Sequence, residues 1–178
     1  MEFLKSNWEG IVAIAALFTS VVATFISYRL LSIKQKHFEK SVRPMLQIGQ
    51  WDYENCLKVD LRNAGIGPAI VKEIEVFKNK HEKKTCIYHW LPKKLPGEMN
   101  YKEYWTANEN FVVKTNGVIQ LIEIHLDPLN EEQKICREEI RGILRQLTVR
   151  VVYYDFYDNK IEDKSMKLNL FSRVDNEN

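Results

Sequence analysis

The sequence contains one run of nineteen residues, from Gly10 to Tyr28, without a single charged side chain. A helix rises about 1.5 Å per residue, so this run spans roughly 28 Å, close to the ~30 Å hydrocarbon core of a bilayer. Lipid offers no hydrogen-bond partner to backbone amides, so a lone segment of this length crosses only as a helix. The run therefore predicts a transmembrane helix at residues 10–28, preceded by a short extracytoplasmic N-terminus at residues 1–9.

Aromatic and basic residues flank the run in the pattern of a single-pass anchor. Basic residues outnumber acidic ones on its carboxyl side, so the positive-inside rule places that side in the cytoplasm. The basic segment at residues 29–42 is expected to continue as a juxtamembrane helix. A cleaved secretory signal is the alternative, but the apolar run is too long and no small-x-small cleavage site precedes Arg29. The predicted membrane-interface residues are Trp8, Tyr28, Arg29, Lys34, Lys36 and Lys40.

Small residues recur along one face of this predicted helix at steps of four, three and four. Such a line lets two helices approach closely, which favours self-association in the membrane. The alternative is that small residues are simply common in transmembrane helices. The residues predicted to mediate self-association are Ala16, Ser20, Ala23 and Ser27.

Composition limits what the remaining chain can be. Of 178 residues, about 130 follow the anchor and its flank, enough for one domain with a real core. The 26 basic residues nearly balance the 24 acidic ones, so the charge does not favour nucleic acid as a partner. Three widely spaced cysteines, Cys56, Cys86 and Cys136, are typical of free thiols in a reducing compartment. Together with the basic flank, they predict an inner-membrane protein whose C-terminal domain is cytoplasmic.

After Pro44 the pattern changes to the period-two alternation of half-buried strands. Leu57, Val59 and Leu61 point to one side, and the charged residues between them point to the other. About eight such segments separated by turn signals predict a β-sandwich or small barrel. Besides residues 57–62, the predicted strands are 45–51, 69–77, 85–90, 110–114, 118–126, 148–155 and 161–171.

One segment, residues 130–147, has helical periodicity instead. Its apolar residues fall on one face, Asn130 with Gln133 resembles a capping box, and Pro128 ends the preceding strand. We therefore expect an amphipathic helix between the sixth and seventh β segments, lying against the sandwich. The apolar face comprises Ile135, Cys136, Ile140, Ile143, Leu144 and Leu147.

Four short motifs carry a family resemblance: Arg43-Pro44, Asn63 to Ala69, Leu95 to Glu98 and Tyr153 to Asp158. They resemble the R-P-x-L, N-x-G-x-G-P-A and Y-x-D-x-x-G patterns of a broad set of uncharacterised bacterial proteins, many of them membrane-anchored. Asp158 stands where those proteins usually have Gly. The resemblance implies an Ig-like β-sandwich at residues 43–173, to which the helix at 130–147 is an addition. The expected fold is thus mainly β, with one transmembrane helix, this sandwich and a disordered tail at residues 174–178.

The predicted helix also carries basic residues at steps of three and four. A basic stripe of this kind could bind a nucleotide, nucleic acid or anionic lipid, so it is a candidate contact for an anionic ligand or a partner. The alternative is a solvent-exposed face of salt bridges, because Glu138 and Glu139 lie on the same helix. The residues of this stripe are Lys134, Arg137, Arg141 and Arg145.

Other polar clusters have ordinary structural explanations. The glycine-rich turn from Asn63 to Ala69 precedes a strand rather than a helix, so we interpret it as a tight turn that needs positive φ at Gly65 or Gly67. Cys86 and His89 have C-x-x-H spacing without a second pair, which does not predict zinc. The acidic residues from Asp155 to Asp163 are typical of a hairpin turn.

The aromatic residues between Trp90 and Trp105 line a long irregular stretch. They either form a ligand or partner surface or cap one end of the sandwich.

These patterns contain no nucleophile motif, and we predict no catalytic, cofactor-binding or metal-binding residue and no enzymatic activity. The first hypothesis is a membrane-anchored binding and assembly module that self-associates, with a protein partner or an anionic ligand. The alternative is an effector of prokaryotic anti-phage defence that perturbs the membrane when its domain senses a ligand or partner. Small defence proteins of similar plan motivate this alternative.

Overall fold

The computed structural model describes residues 8–79, 82–97, 99–106 and 110–172. The chain divides into two compact units, Met1–Val42 and Arg43–Asn178, which are described separately below. Three predicted features lie wholly or partly outside the described residues. They are the N-terminus up to residue 7, the tail at 174–178 and Glu98 of the Leu95 to Glu98 motif.

The described residues of the first unit form one helix, α1, at Trp8–Ser41. It joins the predicted transmembrane and juxtamembrane segments without interruption, because no helix-breaking residue occurs before Pro44. Among the described residues, Gly10–Ser41 is the one helix long and apolar enough to cross a membrane. The predicted apolar helix at the N-terminus is therefore confirmed.

The second unit is mainly β, as predicted, and all its strand pairs are antiparallel. Sheet 1 has the strand order β1-β2-β7-β5, and sheet 2 has the order β4-β3-β8-β9 with β6 also paired to β3. The strands are β1 Leu46–Tyr53, β2 Cys56–Asn63, β3 Ala69–Asn79, β4 Glu82–Lys84, β5 Asn100–Tyr104, β6 Phe111–Val113, β7 Val118–His125, β8 Thr148–Tyr154 and β9 Lys164–Lys167.

A shared core is built from the alternating inward residues of both sheets. Sheet 1 contributes Leu57, Val59 and Leu61, which are all 0 % exposed, and sheet 2 contributes residues such as Val76 and Val149. Burial of apolar surface at about 25 cal/mol per Å² is the main stabilising contribution here. The charged residues between the core positions are left on the outer faces.

Helix α2, Glu131–Leu144, connects β7 of sheet 1 to β8 of sheet 2. Asn130 caps its N-terminus, since the Oδ1 atom accepts from the backbone N–H groups of Glu132 and Gln133 at 3.0 and 3.3 Å. The Gln133 side chain does not complete the predicted capping box, because its Oε1 accepts from Asp127 N at 2.7 Å. On the predicted apolar face, Ile140 is buried, whereas Ile135 is 72 % exposed.

The strand prediction is wrong in two regions. Within the predicted strand 161–171, only Lys164–Lys167 is a strand, and Asn169–Ser172 forms a short 3₁₀ helix. Leu168 and Phe171 are both buried, and their spacing of three does not fit the alternation of a strand.

In the other region, residues 87–90 form a short 3₁₀ helix, Ile87–Trp90, where a strand over 85–90 is predicted. Strands β4 and β5 lie on either side of this helix and have mostly exposed side chains. Because their sequences, Glu-Lys-Lys and Asn-Tyr-Lys-Glu-Tyr, lack the apolar alternation of a half-buried strand, the pattern does not identify them.

The turn from Asn63 to Ala69 is held by the side chain of Asn63, which is 1 % exposed. Its Oδ1 accepts from Met45 N and Gly65 N at 3.1 and 2.9 Å. Its Nδ2 donates to Gly67 O and Val113 O at 2.7 and 3.2 Å. One amide thus ties together the start of β1, the turn and β6.

The expected positive φ at Gly65 or Gly67 is wrong, because the one positive-φ glycine among the described residues is Gly97. Gly65 is required for a different reason. A Cβ there would lie 2.4 Å from Met45 N and 2.5 Å from Arg43 O. The turn therefore depends on close backbone approach.

Candidate functional site

A polar cluster lies on the outer face of sheet 1, where β2 and β7 run side by side. Leu57 points into the core, so its neighbours Cys56 and Lys58 point outward. The register places Cys56 opposite His125 and Lys58 opposite Glu123. Because residues two apart on a strand share a face, Glu123 and His125 lie on the same side as Cys56.

Three potential donor groups meet in this cluster. The Cys56 sulfur, a Glu123 carboxylate oxygen and a ring nitrogen of His125 all lie within 4.8 Å of one another. His125 Nε2 is 2.7 Å from Glu123 Oε1. The side chain of Glu123 is 12 % exposed and that of His125 is 49 % exposed, so the cluster is open to solvent on the histidine side.

Two lysines lie near the Glu123 carboxylate, at longer distances than His125. Lys102 Nζ lies 3.5 Å from Glu123 Oε1, and Lys58 Nζ lies 3.7 Å from Oε2. Burial tends to raise the pKa of Glu123, but the contact with His125 and the two ammonium groups outweigh it and lower the pKa below its usual value. Burial raises the pKa of the Cys56 thiol, and the Glu123 charge adds to this effect.

Farther along the same face, Asp60 is 0 % exposed. Trp51 Nε1 donates to its Oδ2 at 2.9 Å, and Arg62 donates to both oxygens at 3.2 and 2.8 Å. The Arg62 guanidinium also lies over the Trp51 ring, 5.1 Å from its centroid. Gly49 leaves room for the carboxylate, since a Cβ there would lie 2.2 Å from Asp60 Oδ1. This buried charge is thus fully paired within the domain.

The arginines of the predicted basic stripe do not line up as an exposed ligand surface. Arg137 Nη2 binds Asp52 Oδ1 at 2.6 Å, and Arg141 Nε lies 3.0 Å from Asp52 Oδ2. The two arginine side chains are 11 % and 5 % exposed. Glu138 also pairs with both arginines. They attach α2 to β1, which is neither the predicted anionic contact nor the solvent-exposed alternative.

The two ends of the stripe are exposed. Lys134 pairs with Glu131 at 2.6 Å and is 48 % exposed. Arg145 is exposed at the C-cap of α2. The four basic residues therefore have different surroundings and do not form one site.

The aromatic residues of the long irregular stretch pack mainly on the sandwich. Tyr88 stacks on Tyr104 with 4.4 Å between ring centroids and meets Tyr101 edge-on at 5.0 Å. Trp105 lies 4.2 Å from Phe111 and packs against the core. Burial raises the pKa of Tyr101, whose hydroxyl donates to Pro92 O. This arrangement favours a cap over an open binding surface.

The remaining predicted polar groups serve the fold. Asp155 organises its turn by accepting from the backbone N–H groups of Tyr157 and Asn159, both at 2.9 Å. Asp158 has φ of 60°, the conformation that glycine adopts most easily. Cys86 is buried while His89 is exposed, and burial raises the pKa of the Cys86 thiol.

On α1, the side chains predicted to mediate self-association and membrane contact are all exposed. Hydroxyls on the helix donate back to its own carbonyls, as from Ser20 to Leu17 O at 2.7 Å and from Thr24 to Ser20 O at 2.8 Å. Such bonds satisfy the polar groups where no water is present. The exposed set comprises Trp8, Ala16, Ser20, Ala23, Ser27, Tyr28, Arg29, Lys34, Lys36 and Lys40.

A family model described as "Domain of unknown function (DUF8453)" matches residues 11–173. The match covers most of α1 and the whole described part of the β unit. The chain belongs to the DUF8453 family. No curated protein matches it.

In this DUF8453 protein, the polar cluster of Cys56, Glu123 and His125 is the arrangement that sequence reasoning missed. Its members come from strands far apart in the sequence, and only the β2–β7 register brings them together. A signal does exist, because Glu123 and His125 have the spacing that shares a strand face. Cys56 likewise begins a strand whose next residue is a core leucine.

Proposed function

We propose that this DUF8453 protein is a membrane-anchored binding and assembly module without enzymatic activity, which self-associates through α1. The observation that carries the proposal is the bare apolar surface of α1. Leu17, Phe18 and Val21 are 67 %, 70 % and 61 % exposed. Leaving such side chains in water costs roughly 1.5–3 kcal/mol each, and a bilayer removes this cost.

We place α1 in the inner membrane with the β unit on the cytoplasmic side. The basic residues after the apolar run support this orientation. The three cysteines are free thiols, which fits a reducing compartment. The family match extends from α1 through the β unit, which supports a helix that is retained in the mature protein.

We further propose that the β unit is Ig-like. Its sheet orders support this assignment, because an Ig sandwich has strands A-B-E-D in one sheet and C-F-G in the other. Naming β1, β2, β5 and β7 as A, B, D and E reproduces the first order. Naming β3, β8 and β9 as C, F and G reproduces the second, with β4 as an extra edge strand.

The binding surface in this proposal is the outer face of sheet 1, and its partner is a protein. Trp51 and Tyr53 stack there with ring centroids 6.1 Å apart, and Tyr53 is 53 % exposed. Arg62 lies beside them over the Trp51 ring. Tryptophan, tyrosine and arginine are the residues most enriched at the centres of protein interfaces.

Self-association is proposed to use the small-residue face of α1, where two helices can approach closely. A leucine at Ser20 would separate the helices, whereas a leucine at Val22 faces the opposite side and keeps the volume similar. A hydrogen bond between polar side chains of two membrane helices contributes about 1–2 kcal/mol in model peptides, so Ser20→Leu, which removes the hydroxyl, should weaken association roughly fivefold or more.

The test measures carbonate extraction and chemical crosslinking of the full-length protein in isolated membranes. We expect the chain to resist carbonate extraction and to form crosslinked oligomers that Ser20→Leu reduces and Val22→Leu preserves. Release by carbonate would contradict the anchor, and equal crosslinking of both variants would contradict the small-residue interface. The alternative, an anti-phage effector, predicts one further outcome. Expression of the protein should then reduce the membrane potential, and Ser20→Leu should suppress this loss.

A further inference from the structure

We propose that Cys56, Glu123 and His125 form a binding site for a divalent transition metal, with Zn²⁺ the ion that suits the three donors best. The inference goes beyond the membrane-anchored module and does not depend on it. It rests on three different ligand types that converge within 4.8 Å on one face of sheet 1.

The donor set determines the class of ion. Thiolate, imidazole and carboxylate are the three side-chain ligands that Zn²⁺ binds, at about 2.0–2.3 Å. A thiolate with an imidazole selects against Mg²⁺ and Ca²⁺, which prefer oxygen ligands alone. With three protein ligands on an exposed face, the fourth position is taken by water.

The geometry needs only small side-chain movements. Donor atoms around a tetrahedral Zn²⁺ lie about 3.5 Å apart. The contact of 2.7 Å between His125 Nε2 and Glu123 Oε1 must therefore open slightly. The His125 side chain is 49 % exposed and has room to turn. Cys56 needs no backbone movement, because the register already places it opposite His125.

Lys58 and Lys102 oppose the metal, because they place positive charge beside Glu123. Both contacts are long, at 3.7 and 3.5 Å, and the Lys102 side chain is 59 % exposed. The ammonium of Lys102 can therefore move away into water when a cation binds. This competition gives the site a distinctive property: removing Lys102 strengthens metal binding, although it removes an ion pair.

The experiment titrates the reduced full-length protein in detergent with Co²⁺, which reports a thiolate ligand by a charge-transfer band in the near ultraviolet. We expect the band to appear, to disappear on addition of Zn²⁺, and to be lost in both Cys56→Ser and His125→Ala. Cys86→Ser and His89→Ala, which alter the C-x-x-H pair elsewhere in the domain, should retain it. Lys102→Ala should tighten Co²⁺ binding by roughly threefold to tenfold.

Three outcomes would overturn the site. They are the absence of a band at molar excess of Co²⁺, a band that survives Cys56→Ser, and a band lost in Cys86→Ser. Circular dichroism of each variant shows whether it is folded. If Cys56→Ser unfolds, His125→Ala decides the question, because the His125 side chain is 49 % exposed and its truncation disturbs the fold less.

Discussion

At the scale of single residues, the same substitution should have opposite effects at two glycines. Gly65 lies against backbone atoms, and an added Cβ would meet Met45 N, Arg43 O and Pro44 C at 2.4, 2.5 and 2.7 Å. Backbone cannot rotate away as a side chain does, so Gly65→Ala should lower the free energy of unfolding by about 3 kcal/mol or more.

Gly142 is the matched control within α2. A Cβ there meets nothing within 4 Å, so Gly142→Ala removes only the entropic cost of glycine in a helix. We expect it to raise the free energy of unfolding by about 0.5–1 kcal/mol. Denaturant titration of both variants in detergent measures the two effects, and a loss of stability at Gly142 would contradict the helix packing described above.

At the scale of elements, α2 depends on an ion-pair cluster that a local pattern could not predict. Periodicity and the Asn130 cap predict both ends of the helix to within three residues of those observed. The partner of Arg137, Asp52, is 85 positions away in sequence. Because the sequence distance hides this contact, a helical-wheel argument assigns both arginines to a surface. The Cys56 and His125 pair was missed for the same reason.

The packing of α2 against β1 can be tested at the Asp52 carboxylate. Asp52→Asn removes the negative charge between Arg137 and Arg141 while keeping the side-chain size. Glu138 still pairs with both arginines, so the loss is that of charged hydrogen bonds, and the domain should be destabilised by about 1.5–3 kcal/mol. Arg145→Ala, at an exposed site on the same helix, should stay within about 0.5 kcal/mol. Equal effects of the two variants in a denaturant titration would refute this view of α2.

Sheet 2 should lose stability in acid through a second ion-pair group. The contact from Lys83 lowers the pKa of Glu75, and Arg150 lowers it further. Together these two contacts outweigh burial, which tends to raise the pKa. Arg150 also lowers the pKa of Asp163. A carboxyl whose pKa is lower in the folded state stabilises the fold above its unfolded pKa, and that contribution disappears as pH falls through the folded value.

We therefore expect the free energy of unfolding to decline as pH falls below the ordinary carboxyl values of 4.5 and 3.8. Arg150→Gln should make this decline shallower, because it removes a cation shared by both carboxylates. Lys114→Gln, at an exposed position, serves as the control for the change in net charge. Denaturation midpoints measured across this pH range test the prediction. If stability declines with falling pH equally steeply in the two variants, Arg150 is excluded as the cause.

At the scale of the whole molecule, the division between Val42 and Arg43 separates a helix with a bare apolar surface from a unit that contains a buried core. Within the described part of the chain, the buried apolar core runs from Leu46 to Phe171 and belongs to the second unit. A unit that contains its own core can fold alone, and domains of this size usually unfold in one cooperative step. The apolar run was the strongest sequence signal because its character depends on composition and length alone.

The fragment 43–178 should therefore remain in the soluble fraction, elute as a monomer and unfold in one cooperative transition. Its midpoint should match that of the same unit in the full chain, because the core residues that the structure describes all come from the β unit. The full chain should sediment with membranes and associate, so the comparison assigns both properties to α1. A fragment that oligomerises as strongly as the full chain would move the association surface to the β unit, where the exposed face of sheet 1 would then be the first place to mutate.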